Sequence, residues 1–298
     1  MRVVVTGSSG LIGRALVAAL RERGDTVTLL VRHEPQDPSE SQWDPVAGSI
    51  DPAAIVGAGA VVHLAGAGIA DRRWSAQRKA EILGSRVRST DLVARAVATS
   101  APGSVLVSGS AIGIYGNRGD EVLDERSETG HGFLADVCRA WEAAAEPAAS
   151  AGARVVLLRT GVVLSPSGGA LGRQLPLFRL GLGGRLGDGS QWLSWISLAD
   201  EVGAILHAID EPALSGPVDA TAPNPVTNGT FTSALAAAVH RPALLAVPRA
   251  ALRLALGPEL ADEALLASQR VLPGRLATTG YRFVAPDITT ALTTLLAA

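Results

Sequence analysis

The sequence predicts an α/β protein, a doubly wound parallel sheet followed by a smaller, mainly helical C-terminal region. Three observations lead there. Short apolar runs alternate with helical stretches from the start to about Arg159. A glycine turn joins the first apolar run to the first helix. Beyond Ser165 glycine and proline rise and the remaining pattern is helical. The expected boundary puts one domain at 1–165 and a second region at 166–298, with strands and helices free to interleave.

The elements follow in order. Val3-Val4-Val5-Thr6 reads as a strand and Arg14–Leu20 as an amphipathic helix. Gly24-Asp25 turns the chain into a second strand, Thr26–Val31. Residues 33–52 are polar and contain proline, so loop with short structure is expected. Ala60–Ala65 is a strand that ends at Gly66-Ala67-Gly68. A long helix spans Ser75 to Ser100, with a bend expected at Gly84. Ser104–Ser108 and Arg154–Arg159 are strands on either side of a helical stretch from Phe133 to Ser150. Leu198–Asp210, Gly229–His240, Arg249–Leu256, Glu259–Arg270 and Ile288–Ala297 read as helices.

Composition narrows the function. The 298 residues are 47% apolar but only 4% aromatic, so Val, Leu and Ala must fill the core. A net charge of -2 gives no electrostatic case for nucleic acid or an anionic membrane. The lone cysteine, Cys138, excludes an internal disulfide framework and fits a reducing compartment. Only three valines follow Arg2 before the glycine turn, so no signal peptide is visible, and a cytoplasmic location is expected. No Cys/His cluster has metal-ligand spacing and no Gly-x-Ser-x-Gly elbow is present. Lys79 is the only lysine, and Tyr115 and Tyr281 are the only tyrosines.

Gly7-Ser8-Ser9-Gly10-Leu11-Ile12-Gly13 carries the most chemistry. Gly7 lets the chain turn sharply, Gly10 lets a pyrophosphate approach the backbone, and Gly13 lets the helix pack on the strand. The helix start then offers free N–H groups to phosphate. Plain strand-to-helix turns also use glycine, but a turn after the first strand and before an amphipathic helix points to a dinucleotide. The second strand ends at Arg32 with no acid there to take a ribose hydroxyl. A guanidinium suits a 2′-phosphate, so NADP(H) is the expected cofactor. The plainer alternative is one exposed arginine among 25.

The chain resembles the extended short-chain dehydrogenase/reductase superfamily. The resemblance rests on the glycine turn, His63-Leu64-Ala65-Gly66, and Ser108-Gly109-Ser110 followed by Tyr115-Gly116. More narrowly it is similar to atypical NADP-binding epimerase-family proteins with a C-terminal domain of unknown function. Arg73-Trp74-Ser75, Ser85-Arg86-Val87, Trp141-Glu142, Arg159–Leu164, Gln191–Ile196 and Gly280-Tyr281-Arg282-Phe283 carry that match. It implies a Rossmann-like domain and a C-terminal substrate region. It also implies cofactor contacts from Thr6, Gly7, Gly10, Leu11, Ile12, Gly13, Arg32, His63, Leu64, Ala65, Gly66 and Ser108.

The family pattern breaks at the proton donor. A Tyr-x-x-x-Lys pair does this work in the superfamily. If Glu142 is the glutamate four residues past the lysine, the pair here is Leu134 and Cys138. Neither can transfer a proton. Arg86 stands where relatives carry asparagine. Ser110 and Tyr115 are the replacement candidates, each with a plainer alternative: a turn serine and a packed tyrosine. Arg73, Trp74, Arg86, Gln191 and Trp195 are expected to line a substrate pocket, which two arginines would make suited to an anion. Core plugs between the two regions are the alternative for the tryptophans. The expected activity is an NADP(H)-dependent oxidoreductase or epimerase of unknown substrate. A non-catalytic NADPH-binding regulatory or sensor protein is the alternative. Oligomeric state is not legible.

Overall fold

The structure, a computed structural model, describes residues 1–297. The first half builds a sheet from β1 (Arg2–Thr6), β2 (Thr26–Val31), β3 (Glu40–Asp44), β4 (Ser49–Ile50), β5 (Ala60–His63) and β6 (Val105–Ala111). Helices α1 (Leu11–Glu22), α2 (Pro52–Ile55) and α3 (Ala76–Ser100) connect them. A 3₁₀ turn, Ile112–Tyr115, leads to β7 (Val122–Leu123), then α4 (Phe133–Ala143), α5 (Glu146–Ser150) and β8 (Arg154–Thr160). Next come β9 (Val162–Ser165), α6 (Gly169–Arg179), β10 (Gly184–Leu186), β11 (Trp192–Leu193), β12 (Trp195–Ser197) and α7 (Leu198–Asp210). The chain closes with β13 (Gly216–Ala220), β14 (Val226–Thr227), α8 (Asn228–Ala238), β15 (Leu245–Val247), α9 (Arg249–Leu256), α10 (Pro258–Leu260), β16 (Arg270–Val271), α11 (Gly274–Thr278) and α12 (Ile288–Ala297).

The main sheet has the order β13-β8-β6-β5-β1-β2-β3-β4. All its pairs are parallel except β3 with β4. Strand order reverses between β1 and β5, which places the ligand crevice of such a sheet at their carboxyl ends. β13 joins the sheet from beyond residue 165, so the two regions interleave.

The strands read as unbroken apolar runs because both faces are covered. Val3, Val5, Val62 and Val107 pack under α1 and α7, while Val4, Val61 and Leu106 pack under α3 and α5. Each such burial stabilises by roughly 1.5–3 kcal/mol. A third cluster, around Leu164, Trp195, Phe231 and Leu292, fills the C-terminal region. Among the described residues no helix is long and apolar enough to cross a membrane.

Three element boundaries differ from the sequence reading. α3 runs through Gly84 as one helix. The stretch from Phe133 to Ser150 divides at Ala144-Ala145. The helix expected over Glu259–Arg270 ends early, in a π-helical turn at Ala261–Leu265. Beyond it Ser268 donates to the Gly119 carbonyl and accepts from Trp192, and Arg270 pairs in β16 with β7. Those partners on other loops replace the helical ladder.

Candidate functional site

The glycine turn sits at the strand-order switch. Gly7 has φ +70, and a Cβ there would lie 2.8 Å from the Leu64 carbonyl carbon. A Cβ on Gly13 would lie 2.2 Å from the Gly7 oxygen, so only glycine lets α1 rest on the turn. Gly10 differs. It is exposed, and a Cβ on it would meet only the Gly7 oxygen, at 3.2 Å. No side chain caps α1, whose first residues include Leu11 and Ile12. Its N-terminal N–H groups are therefore open to an anion. Thr6 pairs with Leu30, so Arg32 lies two residues further, alongside the turn. Arg32 is exposed and has no ion pair or hydrogen bond among the described residues. Leu64 and Ala65 are half-buried and Gly66 is exposed on the neighbouring strand end.

Three expected cofactor contacts are corrected by burial. Thr6, His63 and Ser108 are fully buried. Thr6 Oγ1 lies 2.7 Å from His63 Nδ1 and accepts from the N–H groups of Leu64 and Ala65. His63 Nε2 lies 3.0 Å from Ser89 Oγ, and burial pushes its pKa down to about 3. Thr6 and His63 support the turn from behind, and the buried Ser108 hydroxyl has no partner among the described residues.

Tyr115 is corrected for the same reason. Its side chain is fully buried, and its hydroxyl lies 2.9 and 2.8 Å from the two carboxylate oxygens of Asp219. The hydroxyl also accepts from Arg159 at 2.9 Å and lies 3.0 Å from the Asp124 carbonyl. Burial, with the Asp219 charge, raises its pKa further above the ordinary value. A phenol held this way is not a proton donor to substrate. Burial also pushes the Asp219 carboxyl well above the usual range, helped by Glu125.

Arg159 ties this corner together. Its Nε and Nη2 donate to the two Glu142 oxygens at 2.8 and 3.0 Å. Ser110 donates to Glu142 at 2.7 Å. The register explains the assembly: Ser110, Arg159 and Asp219 stand in one row across β6, β8 and β13. Sequence reading missed Arg159 and Asp219. The available signal was a charge at the end of an apolar strand, which burial obliges to find a partner.

Arg86 stays apart from that corner. Its guanidinium lies over the Trp141 ring at 4.9 Å, and Nη1 donates to the carbonyls of Ala67 and Ile82. Its Nε and Nη2 have no partner among the described residues. A Cβ on Gly66 would lie 3.4 Å from its Cζ. Burial lowers the Arg86 pKa, and the Arg78 charge adds to this.

The other expected pocket residues do not join Arg86. Trp195 is fully buried in the C-terminal core, donating to the Asn224 carbonyl at 3.1 Å. Gln191 is buried and donates to Leu186. Pairing of β12 with β9 draws Trp195 into the C-terminal cluster. Arg73 donates to the Leu254 carbonyl, and Trp74 donates to Ile69 and packs edge-on against Phe133. Beside Leu134 lies a cleft of about 140 Å³, walled by Gly113, His131 and Glu263. Glu263 accepts from the N–H groups of Phe133 and Leu134 at 3.0 and 2.8 Å, capping α4 from the C-terminal region. Cys138 is buried, with its pKa pushed up to about 12 by burial.

Comparison with known proteins gives a consistent set of matches. Residues 3–219 match the NAD dependent epimerase/dehydratase family, and residues 247–295 match a domain of unknown function, DUF1731. The epimerase family protein Mb2239 of Mycobacterium bovis is 51% identical over 94% of this chain and 93% of its own. The crystal structure of human epimerase family protein SDR39U1 with NADPH superposes with a TM-score of 0.91 at 35% identity. It covers 100% of this chain and 99% of that one. The nucleoside-diphosphate sugar epimerase of Corynebacterium glutamicum gives 0.82 at 40% identity, covering 99% of this chain and 58% of that one.

Proposed function

The chain belongs to the NAD dependent epimerase/dehydratase family, and from that premise we propose that it is an NADP(H)-dependent oxidoreductase or epimerase acting on an anionic small molecule. Arg86 carries the reading: a half-buried guanidinium with unused donors, at the carboxyl end of β5 and next to Gly66. Half-buried cations are costly unless an anion meets them. The cofactor choice is supported by Arg32, which stands unpaired beside the glycine turn, and by the NADPH of the human relative's structure.

The residues present fit that cofactor. Gly7, Gly10, Leu11 and Ile12 would hold the pyrophosphate at the uncapped start of α1, Arg32 the 2′-phosphate, and Leu64–Gly66 would flank them. The bound cofactor supplies the hydride. Ser110 is buried and donates to Glu142, so it belongs to the same closed corner as Tyr115. Arg159 holds Glu142 in place. Leu134 and Cys138 move no proton, so turnover should lack the usual general acid–base help, worth about 10²–10⁴-fold. A second reading, NADPH binding without turnover, is favoured by the engaged, buried Tyr115 hydroxyl.

The test titrates NADPH and NADH, then follows NADPH oxidation with carbonyl compounds that carry carboxylate or phosphate. NADPH should bind roughly 10- to 100-fold tighter, and Arg32→Asp should erase the difference. Oxidation should be slow with anionic carbonyls and lost in Arg86→Met. Tight NADPH binding with no turnover on any carbonyl passes the site to the second reading. Equal affinity for the two cofactors removes the NADP(H) assignment.

A further inference from the structure

We propose that the paired loops around β10 and β15 form a docking surface for an anionic phospholipid bilayer. Six leucines are exposed among the described residues, and four lie on these two loops. Leu180 and Leu182 follow α6, at 72% and 55% exposure, and Leu244 and Leu245 enter β15, at 90% and 51%. The two loops run side by side. Arg241 donates to the Arg179 carbonyl at one end, and Gly184 pairs with Leu245 at the other. An apolar cluster of this kind marks an interaction site.

Charge decides what covers it. The chain has no aspartate or glutamate between residues 147 and 187 or between 220 and 258. Arg179, Arg185, Arg241 and Arg249 are exposed on or beside the two loops, and none forms a salt bridge among the described residues. The nearby acid Asp188 is engaged by Ser190 through both backbone and side chain. The net charge of -2 therefore hides a local excess of arginine, with Asp188 the one acid between Glu146 and Asp200. Exposed leucines ringed by arginines are the two signals interfacial binding requires: apolar insertion and attraction to anionic headgroups. A second copy fits less well, because a two-fold contact through this patch would set the same arginines against each other.

The experiment is co-sedimentation of the full chain with vesicles of equal parts phosphatidylglycerol and phosphatidylcholine, and with phosphatidylcholine alone, at low salt. The protein should pellet with the anionic vesicles and leave the pellet as salt rises. The double variant Arg179→Glu, Arg185→Glu should weaken partitioning by at least about 25-fold, taking about fivefold per arginine removed. Leu180→Asp with Leu244→Asp should weaken it with the arginines intact. Both variants should keep the wild-type urea midpoint, since all four side chains are exposed. Equal pelleting on both vesicle types, or none on either, overturns the proposal. So does a wild-type dimer that the leucine variant converts to monomer without any vesicle binding; that outcome assigns the patch to a second copy.

Discussion

The β1–α1 corner and the β6–β8–β13 corner lie on the same sheet and treat polar groups in opposite ways. At the first, Gly10 is exposed, α1 has no side-chain cap and Arg32 has no partner among the described residues. At the second, Ser110, Glu142, Arg159, Tyr115 and Asp219 bind one another. Unused donors cost little at a surface and remain available to a ligand. Buried polar groups cannot be left that way, so each takes a protein partner and becomes part of the fold. The lesson concerns Tyr115. A tyrosine in a strand-end motif is a donor only if its hydroxyl is spare, and here it is not.

The strongest way to break this contrast is to cut the second corner and disturb the first. Arg159→Met leaves Glu142 without its cation and removes a donor to Tyr115. Breaking a buried pair from one side should cost about 3–5 kcal/mol, read as a fall in the urea midpoint. Gly10→Val should cost about 1 kcal/mol, because its Cβ would press only on the Gly7 oxygen, at 3.2 Å, yet should abolish NADPH binding. If Arg159→Met unfolds at the wild-type urea concentration, the corner is not structural and the contrast fails.

A second acid sharpens the comparison. Glu201, in the first turn of α7, is fully buried like the second corner but has no cation. Oε1 accepts from Thr160 at 2.8 Å and Oε2 has no partner among the described residues. Burial raises its pKa from 4.5 to about 8. The folded state therefore holds a proton that the unfolded state has released. Its stabilising contribution is complete below pH 4.5 and is lost as pH rises toward about 8. Across that window Glu201 by itself lowers stability by about 1.4 kcal/mol per pH unit, opposed below pH 6.5 by His63, which is buried neutral. Glu201→Gln should remove this slope. Urea titrations at several pH values check it, and an unchanged slope would show that Glu201 is charged in the folded protein.

Much of the first corner was legible in the sequence, and little of the second. The apolar runs placed β1, β2, β5, β6 and β8, because a strand covered on both faces needs nothing else. Gly7 and Gly13 were legible because each does a local backbone job. The Ser110–Arg159–Asp219 row was not, because it exists only when three strands separated in sequence fall into register. Trp195 misled for a related reason. Its neighbours are polar and glycine-rich, but pairing of β12 with β9 carries it into the core. His63 and Thr6 were legible as strand ends, but strand-end position does not say which side of the turn a side chain supports.

Cys138 gives the smallest and most specific test. It occupies the position where the superfamily resemblance expects lysine, so a catalytic reading of the second corner would need it. The structure instead buries it at 4% exposure, near Gly113 and among Ile112, Tyr115 and Val271. With its pKa pushed up to about 12, almost none is thiolate near neutral pH. Iodoacetamide should therefore label it only after unfolding. Cys138→Ala should cost about 1 kcal/mol, the loss of one small buried group, and leave NADPH affinity and any NADPH oxidation unchanged. A native thiol that reacts as fast as a free one would place it at an open site. A large loss of activity with stability intact would make the second corner catalytic after all.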